Sequence, residues 1–546
     1  MAEARAHHSL RYWLLKTLCL NNLYGVDLMA EAAEIAKLRL FLKLAAQLDD
    51  PARIEPLPDL DFNIKSGNLL VGIADAADIE RRFSDRGVLP FGLDLAMDAA
   101  ESVAAAYDDF VAAQAAETGT EGEQHAKSLL QAKIKAISGQ VDAALYEMRN
   151  ESQDFEEWRK SHQPFHWFAE FPAVWRNGGF DAIIGNPPYI RGGNLNSVKK
   201  RYTWQGFTAE SCPDIYAVCT ERASSLLNSQ GRFAMVVMHS LCFHKGYTAL
   251  RVYLLARFNS IWVPSYSVIP GCLFSGSARV RNTIVIAASE GKREVFTGRC
   301  RRWVTSAREH LFATQQMAKP HKVILECTEN LQWPFIDDEL LVDALAKMMS
   351  HQQPISQVLV KEGKHKLGFK TTAGYVLGIF DIEPPIIDPN TELPVSTMTN
   401  KTAWFNFQDS IHRDIAILAL SGRWGHLWWN TFGDGFDVTR GVLAALPCDI
   451  ERLATAKELS LVPCDMELIS LVADFLKLAN DLKNELPNQL VWKNHAGVKV
   501  GRYDLWQCRH ITDEADWLLA QAWGLTWEQY EAAGNLRDRM TFGNRE

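Results

Sequence analysis

The first 70 residues alternate between short apolar runs and stretches with helical spacing. Residues 10–20 carry apolar side chains at helical intervals. Asn22 to Leu28 form a short apolar run that predicts a buried strand with the acid Asp27 at its end. Residues 29–48 return to a helical period, and the apolar run FNIKSGNLLVG follows a proline-containing loop at residues 51–63. A strand, a helix and a second strand in this order predict a parallel α/β unit.

A region of different composition interrupts this pattern. Residues 93–160 are rich in Ala, Glu, Gln and Lys and break only at ETGTEGEQ, which predicts an insertion of two long helices projecting from the α/β body. Strands and helices alternate again from FDAIIG (Phe180 to Gly185) to about residue 290. Within this stretch DIYAVCTERASSLLNSQ predicts a helix over 214–230, with Asp214 as its cap and a role in the site as an alternative.

The pattern is looser beyond residue 330. Prolines and mixed apolar runs surround a predicted tryptophan-rich helix near residues 415–430, and an amphipathic helix is predicted over 465–486. A last helix is predicted around DEADWLLAQAWG. Strands mixed with helices in this order predict an α+β arrangement for the C-terminal part.

Composition narrows the class of protein. A chain of 546 residues exceeds one ordinary core, and 47% hydrophobic with 23% charged residues is typical of globular domains. No apolar run has the roughly 18 residues of a membrane span, and no secretory signal is visible. The ten cysteines are scattered without a C-x-x-C pair, which predicts buried reduced thiols and a cytoplasmic protein. The net charge of −9 excludes a strongly basic coat but allows a local basic cleft for nucleic acid.

The tetrapeptide that follows FDAIIG combines an amide, two prolines and a tyrosine: Asn186, Pro187, Pro188 and Tyr189. Prolines donate no backbone hydrogen bond and fix φ, so they hold the chain rigid at the end of a strand. An enzyme that methylates the exocyclic amine of adenine needs acceptors aimed at the two N–H bonds, because the nitrogen lone pair is delocalised into the ring. The Asn186 side-chain oxygen and the Pro187 carbonyl are candidate acceptors, and Tyr189 offers a face on which an extruded base can stack.

Asn-Pro-Pro-Tyr after an apolar strand resembles the catalytic motif of the S-adenosylmethionine-dependent DNA amino-methyltransferases. The resemblance implies an adenine enzyme, since the cytosine N4 enzymes typically carry Ser in place of Asn. Two alternatives share the tetrapeptide, namely the protein-glutamine methyltransferases that modify release factors and a plain strand-to-loop turn. The helical insertion and the long C-terminal part disfavour the protein-glutamine enzymes, because a small protein substrate does not require them.

Two flanking segments resemble the cofactor-binding motifs of the same family. NLYGVDLMAEAAEIAKLRLFLKL is similar to the second motif, which implies that Asp27 binds the ribose hydroxyls of S-adenosylmethionine, with Leu28 beside it. LPDLDFNIKSGNLL is similar to the third motif, which implies that Asn68 meets the cofactor's adenine, with Leu69 next to it, although many relatives have Asp first. From the residues alone, Asp27 also fits a helix N-cap, and Asn68 fits a turn residue.

The order of these motifs implies the gamma arrangement, with a Rossmann-like class I methyltransferase sheet, a helical insertion and a mixed α+β target-recognition domain. FHWFAEFPAVW before GGFDAIIGNPPYI is similar to fused restriction-modification and phage-defence methyltransferases, and ALSGRWGHLWWNTFGDGFDVTRGVLAALP resembles part of a recognition domain. The predicted division is a partial methyltransferase core over 1–92, the insertion over 93–163, the core with the tetrapeptide over 164–310, the recognition domain over 311–460 and a C-terminal helical region over 461–546.

The glycine-rich first motif of the gamma arrangement is absent before Asn22, so the predicted sheet is incomplete at its N-terminus. The resemblance therefore implies weak cofactor binding by this chain alone. Three explanations stay open: a gene fragment, one part of a split enzyme completed by an N-terminal fragment or a restriction or defence subunit, and a decayed copy. A permuted order, with TFGDGFD (Thr431 to Asp437) as the glycine loop, is disfavoured because a tryptophan-rich helix rather than a strand precedes it.

Basic residues near the tetrapeptide and after residue 278 predict contacts with double-stranded DNA. The flanking aromatic in RCRRW favours a phosphate-binding surface, with a solvated face as the alternative. The candidate DNA-binding residues are Arg191, Lys199, Lys200, Arg299, Arg301 and Arg302, and the same stretch includes Arg279, Arg281, Lys292, Arg293 and Arg308. A second basic set in the predicted recognition domain comprises Lys361, Lys364, Lys366 and Lys370.

These patterns predict a site-specific DNA adenine N6-methyltransferase of a restriction-modification or phage-defence system. The fifteen histidines show no paired metal-ligand spacing, so no metal is predicted. The alternative from another class is a catalytically silent DNA-binding or subunit-interaction protein.

Overall fold

The computed structural model describes residues 9–48, 58–75, 78, 93–115, 120–149, 154–202, 206–274, 279–327, 330–372, 376–395, 401–455, 466–495 and 497–542. The chain divides into two compact units. The first comprises residues 1–235, 253–258 and 287–291, and the second comprises residues 236–252, 259–286 and 292–546. The five-part division made from the sequence stays a prediction. Within the described ranges, no helix combines the length and the apolar character that a bilayer crossing needs.

The first unit contains two pairs of parallel strands connected by helices. Its elements are α1 (Leu10–Asn22), β1 (Gly25–Asp27), α2 (Ala30–Ala45), β2 (Ile64–Ser66), α3 (Leu93–Ala115), α4 (Thr120–Arg149), α5 (Phe155–His162), α6 (Trp167–Glu170), α7 (Pro172–Arg176), β3 (Phe180–Gly185), α8 (Gly192–Tyr202), α9 (Ile215–Ser225) and β4 (Leu227–Met238). β1 pairs with β2, with Asp27 opposite Ser66, and β3 pairs with β4, with Ile183 opposite Phe233. The predicted α/β class is confirmed at this level.

The strand after α9 begins earlier than the sequence pattern predicts. The predicted helix extends to residue 230, but α9 ends at Ser225 and β4 begins at Leu227. The backbone N–H of Phe180 donates to the Leu226 carbonyl at 2.9 Å, so pairing with β3 begins at this point. The prediction of the helix end was therefore wrong because tertiary pairing outweighs the helix-compatible pattern of residues 226–230.

The two insertion helices, α3 and α4, share a core with the strands that they interrupt. Val103 and Phe110 from α3 and Leu130 from α4 pack in one buried cluster with Phe62 and Val71, which flank β2. The two long helices predicted from the composition of residues 93–160 are confirmed. Their apolar faces lie in the core of the first unit, so the insertion contributes to that core.

A buried histidine connects the insertion to the turn after β2. The side chain of His166 is fully buried, and its Nδ1 accepts a hydrogen bond from the Ile73 backbone N–H at 3.2 Å. The proton therefore lies on Nε2, which donates to the Asp142 carboxylate of α4 at 2.9 Å. The second oxygen of Asp142 pairs with Arg159 at 2.9 Å, so the buried charge has a partner.

The second unit contains a parallel strand pair, two antiparallel sheets and most of the later helices. Its elements are α10 (Ser240–Phe243), α11 (Thr248–Arg257), β5 (Ser260–Tyr266), β6 (Asn282–Ala288), β7 (Glu294–Arg301), α12 (Lys322–Cys327), α13 (Glu339–His351), β8 (His365–Lys370), β9 (Ile379–Phe380), β10 (Ile386–Ile387), β11 (Thr402–Phe407), α14 (Ser410–Ser421), α15 (Arg423–Phe432), α16 (Arg440–Ala444), α17 (Ile450–Thr455), α18 (Met466–Glu485), β12 (Leu490–His495), β13 (Val498–Tyr503), α19 (Arg509–Ala522) and α20 (Trp527–Phe542). The strands β4 and β6 and the helix α11 each contain residues of both units.

Three strand groups organise the second unit. β5 lies between β6 and β7 and is parallel to β7, with Trp262 opposite Phe296. β8 lies between β11 and β9, and β13 lies between β10 and β12, with antiparallel pairing throughout. This mixture agrees with the α+β arrangement predicted for the C-terminal part.

The tryptophan-rich helix α15 lies in the core of the second unit. Trp424 and Trp429 are fully buried. Their indole N–H groups donate to the backbone carbonyls of Asp516 and Asp437 at 2.8 and 3.1 Å. Buried indoles need such acceptors, and here the protein supplies both. These tryptophans therefore stabilise the fold and do not form a stacking surface.

The described cysteines are free thiols. Of the eight whose side chains the structure describes, six are buried, which confirms the prediction of buried cysteines. Burial raises the pKa of Cys219 to about 12 and that of Cys242 to about 11. Thiols with such pKa values hold little nucleophilic thiolate at neutral pH.

Candidate functional site

The loop formed by residues 186–191, here called the Asn186 loop, begins where β3 ends at Gly185. The side chain of Asn186 is exposed, whereas Tyr189 is half-buried. The Tyr189 hydroxyl donates to the Asn186 Oδ1 at 3.3 Å. The ring of Tyr189 meets Tyr216 edge-on, with centroids 6.0 Å apart and an interplanar angle of 84°. Amide and phenol are thus held together at the end of an apolar strand, with the amide facing solvent.

A buried carboxylate, Asp214, holds the far end of the Asn186 loop. Its Oδ1 accepts from the Ile190 backbone N–H at 3.0 Å, and its Oδ2 accepts from the Arg191 Nε at 2.8 Å. The Ile190 carbonyl in turn accepts from the Ile215 backbone N–H at 3.2 Å. The loop is therefore fixed by prolines at one end and by charge-assisted hydrogen bonds at the other.

Asp214 serves the loop and the helix α9 together. Its side chain accepts from the Tyr216 backbone N–H at 3.3 Å, which confirms its predicted role as the cap of that helix. Burial raises its pKa, while the hydrogen bonds from Tyr216, Arg191 and Ile190 oppose that rise. The sequence contains no signal for the contact with Ile190, because the two residues are 24 positions apart and share no local pattern.

The candidate cofactor residues lie at the carboxyl ends of β1 and β2. Asp27 is exposed, and its Oδ1 accepts from the Met29 backbone N–H at 2.8 Å. Leu28 is also exposed. Asn68 is 7% exposed, and its Oδ1 accepts from the Leu70 backbone N–H at 3.0 Å. Asn68 thus forms the turn that the sequence left open, whereas Asp27 bonds within the turn that precedes α2 and is not its N-cap, which is Met29.

One apolar cluster brings the third candidate motif against the Asn186 loop. Leu70, Ile215 and Val218 form its buried part, and Leu69 and Ile190 pack against it. The segment after β2 and the loop after β3 are thereby held side by side within the first unit. In open α/β sheets, ligands bind outside the carboxyl ends of the strands, which is the position of both segments.

The glycines near these strands show which part of S-adenosylmethionine the described residues fit. A Cβ on Gly67 would lie 2.5 Å from the Phe165 ring, and one on Gly72 would lie 1.7 Å from the Phe165 carbonyl oxygen. A Cβ on Gly185 would lie 2.7 Å from the Met235 Sδ. These glycines accommodate protein neighbours, so they are not free to approach a ligand. The exposed Asp27 carboxylate is accessible to ligand hydroxyl groups, whereas these glycines offer no binding loop for the methionine part of S-adenosylmethionine.

The candidate DNA-binding residues have different surroundings. Arg191 is 43% exposed and binds Asp214. Lys199 and Lys200 lie on α8, and their side chains fall outside the described residues. The DNA-binding roles of these three residues stay predictions.

In the second unit, Arg299, Arg301 and Arg302 form what we call the arginine cluster, and all three are partly buried. Arg299 pairs with Asp337 at 3.4 Å, and Arg301 donates from Nη1 to the Leu311 carbonyl at 2.7 Å. At least two of the three guanidinium groups therefore have acceptors within the protein. Among the described residues, no group of three or more His, Cys, Asp or Glu side chains is arranged to hold a metal ion.

The geometry of the Asn186 loop can be compared with known protein families. Residues 21–263 match the family described as Eco57I restriction-modification methylase. The matched range includes β1 to α11 and the whole Asn186 loop.

Individual relatives agree with the family. A putative type II restriction enzyme and methyltransferase from Methanocaldococcus jannaschii is 28% identical over 312 residues, which cover 49% of this chain and 26% of the relative. The adenine-specific methyltransferase BrxX from Escherichia coli O9:H4 (strain HS) is 38% identical over 76 residues, which cover 14% of this chain and 6% of the relative. The chain thus spans about a quarter or less of these curated relatives.

Among solved structures, the Type IIL restriction-modification enzyme MmeI in complex with DNA is 11% identical with a TM-score of 0.40, covering 99% of this chain and 78% of that chain.

Proposed function

We propose that the chain transfers a methyl group from S-adenosylmethionine to the N6 amine of adenine in double-stranded DNA, as part of a restriction-modification or phage-defence system. The observation that carries the proposal is the Asn186 loop, in which an exposed carboxamide accepts from the Tyr189 hydroxyl while the buried Asp214 carboxylate fixes the far end of the loop. The match of residues 21–263 to a restriction-modification methylase family supports the same activity.

The side chains of the loop act on the adenine amine. Asn186 Oδ1 and the Pro187 carbonyl accept from its two N–H bonds, which draws nitrogen electron density out of the ring and toward the methyl donor. The carboxamide oxygen has two lone pairs, so it accepts from the amine while it accepts from Tyr189. Tyr189 stacks against the extruded base, and the edge contact with Tyr216 keeps its ring in place.

S-adenosylmethionine supplies an electrophilic methyl group on a sulfonium. A nitrogen–carbon bond forms as the sulfur–carbon bond breaks, and the nitrogen then loses one proton to solvent, so the loop needs no covalent intermediate. Asp27 would hold the ribose hydroxyls through its carboxylate, and Leu28 would cover the apolar face of the cofactor's adenine. Asn68 and Leu69 would border the same site.

Double-stranded DNA is the proposed partner, with Arg191, Lys199 and Lys200 nearest the Asn186 loop in the chain. A flipped adenine leaves a phosphate backbone on both sides of the loop, and cations at that position would neutralise it. A cytoplasmic location follows from this proposal, because the DNA substrate lies there.

A second function is favoured by the glycine contacts. The glycines around β2 and β3 are occupied by Phe165 and Met235, so the methionine end of the cofactor lacks a binding loop among the described residues. On this observation the chain would bind DNA or a subunit without catalysing transfer alone.

The test is methyl transfer with a chemical readout. Tritiated S-adenosylmethionine, the chain and double-stranded DNA are incubated, alone and with the products of the reading frames that flank its gene. The DNA is digested and its nucleosides are separated by mass. We expect N6-methyladenine in at least one mixture. Label in N4-methylcytosine, or label in protein glutamine, would contradict the proposal, and no label in any mixture would favour the silent function.

A further inference from the structure

The exposed apolar side chains of the molecule are concentrated in one short segment of the first unit. Of the 22 large apolar side chains that are exposed among the described residues, nine lie between residues 10 and 42. They are Leu10, Leu14, Leu18, Leu23, Leu28, Met29, Ile35, Leu38 and Leu42. Monomeric proteins rarely expose contiguous apolar patches of this kind, and such patches commonly mark interaction surfaces.

Helical spacing arranges most of these residues as two stripes. Leu10, Leu14 and Leu18 follow one another at intervals of four on α1, and Ile35, Leu38 and Leu42 follow at intervals of three and four on α2. The buried residues Tyr12, Cys19 and Leu44 of the same helices already form a core cluster. Both helices are therefore apolar on two faces, of which the protein covers one.

The strand β3 shows the same excess of exposed apolar surface. Ile184 lies in the middle of the run Ala182 to Gly185 and is 84% exposed. β3 is the last strand of its sheet and pairs with β4 alone among the described strands. Parallel strands are normally buried on both faces, and a free strand edge presents a row of unpaired backbone groups. A protein segment that paired with the free edge of β3 and covered Ile184 would both bond the backbone groups of that edge and bury the apolar side chain.

The geometry of β1 and β3 points to one inserted strand. The two strands belong to different sheets, yet Tyr24 before β1 and Phe180 at the start of β3 meet with ring centroids 5.9 Å apart. Adjacent strands lie about 4.8 Å apart, so a strand inserted between two others needs about 9.6 Å. A second copy of β3, attached to its whole sheet, is too large for this space.

The surface is large enough for a stable complex. From their exposed fractions, Ile184 and the eight of these side chains other than Leu28 present roughly 900 Å² of surface, against the ~800 Å² that each partner contributes to a standard interface.

We infer that this face binds a separate polypeptide that supplies one apolar strand and one amphipathic helix. The strand pairs in parallel with the free edge of β3, which completes the backbone hydrogen bonds and covers Ile184. The helix packs on the stripes of α1 and α2. The carboxyl end of such a strand lies beside Asn186, so the partner would also contribute the loop that follows it to the candidate site.

The test uses hydrogen exchange and binding rather than methyl transfer, so its outcome is separable from the proposed activity. The probes are the two polypeptides encoded on either side of this gene, each purified and mixed with the full chain. The docking variant is Leu38→Glu with Leu42→Glu. The matched control is Ile382→Glu with Leu393→Glu in the second unit, whose side chains have similar exposure, 59% and 65% against 55% and 62%. All four side chains are exposed, so we expect both variants to melt at the wild-type temperature.

We expect a one-to-one complex with one probe, in which the backbone amides of β3 and α2 exchange at least tenfold more slowly. The docking variant should weaken the complex at least about thirtyfold, and the control less than twofold. Binding that is insensitive to the docking variant would overturn the inference. A symmetric dimer of the chain that Leu38→Glu with Leu42→Glu disperses would also overturn it, as would a chain that binds neither probe.

Discussion

The Asn186 loop and the arginine cluster are both candidate contacts for DNA, but they present their side chains differently. In the loop the carboxamide of Asn186 is exposed, while Ile190 and Arg191 are held by the buried Asp214. In the cluster Arg299 and Arg301 direct their guanidinium groups to Asp337 and the Leu311 carbonyl. A motif that restricts the backbone therefore indicates where a functional atom points, whereas a run of charges does not.

The largest effect is expected at the carboxamide. Asn186→Ala removes an acceptor that acts only on the reacting amine, so methyl transfer should fall by about 10²–10³. DNA affinity should change less than twofold. The measurement is tritium incorporation into DNA in whichever mixture is active, and Asn194→Ala on α8 is the matched control, since Asn194 is exposed and close in the chain. If Asn186→Ala retained methyl transfer, the exposed carboxamide of the loop would be no more functional than the arginines of the cluster.

The next effect concerns the buried carboxylate. Asp214→Ala leaves the Ile190 N–H and Arg191 without their acceptor, so the loop should lose its fixed geometry and transfer should fall roughly 10- to 100-fold. We expect stability to fall by about 1–3 kcal/mol.

Amide exchange at Ile190 separates a positioning role of Asp214 from a general loss of stability. It should accelerate more than exchange in the helix α4. Asp181→Ala is the control, because the Asp181 carboxylate is exposed and accepts only from Asn228 among the described residues, at 2.7 Å. Equal effects of both variants would contradict a role for Asp214 in the loop.

A smaller effect is expected when a partly buried arginine and an exposed arginine are replaced in turn. Arg301→Ala removes a hydrogen bond to the Leu311 carbonyl and should destabilise the second unit by about 1–2 kcal/mol without changing the salt dependence of DNA binding. Arg279 is exposed, so Arg279→Ala should lower the slope of log affinity against log salt by about 1 if it contacts a phosphate. Titrations between 50 and 300 mM salt measure both slopes. A lower slope for Arg301→Ala would show that the cluster does reach DNA.

The smallest effect is a pH dependence. Burial lowers the pKa of Lys370 from 10.5 to about 8, with Arg502 contributing in the same direction and Glu383 opposing it. A depressed pKa means that the folded state disfavours the charged amine. The free energy of unfolding therefore gains from deprotonation of Lys370; this gain is complete above pH 10.5 and is lost as the pH falls through about 8. The melting temperature should therefore rise between pH 8 and 10.

Lys370→Met should abolish this rise, and Lys366→Met, which removes an exposed lysine on the same strand, should not. An unchanged rise in Lys370→Met would show that its amine is as hydrated as that of Lys366. Lys370 would then be as available to phosphate as any surface lysine.

Much of the first unit was predictable because its signals are local. The composition of residues 93–160 predicted the long insertion helices, and the prolines after Gly185 predicted a stiff loop at the end of a strand. Contacts between distant residues were not predictable. Phe165 occupies the space beside Gly67 and Gly72 almost a hundred positions earlier, and Asp214 reaches back to Ile190. The start of β4 was misplaced for the same reason, since pairing with Phe180 decides it.

The hydrogen bonds of His166 limit how the insertion could be changed. An engineer who shortened α3 and α4 to obtain a smaller protein would delete Asp142 and leave the His166 Nε2–H buried without an acceptor. The deletion would also uncover Phe62 and Val71, which pack against those helices. Shortened versions should therefore be less stable and less soluble than the full chain. The insertion is in this sense an integral part of the domain rather than an exchangeable module.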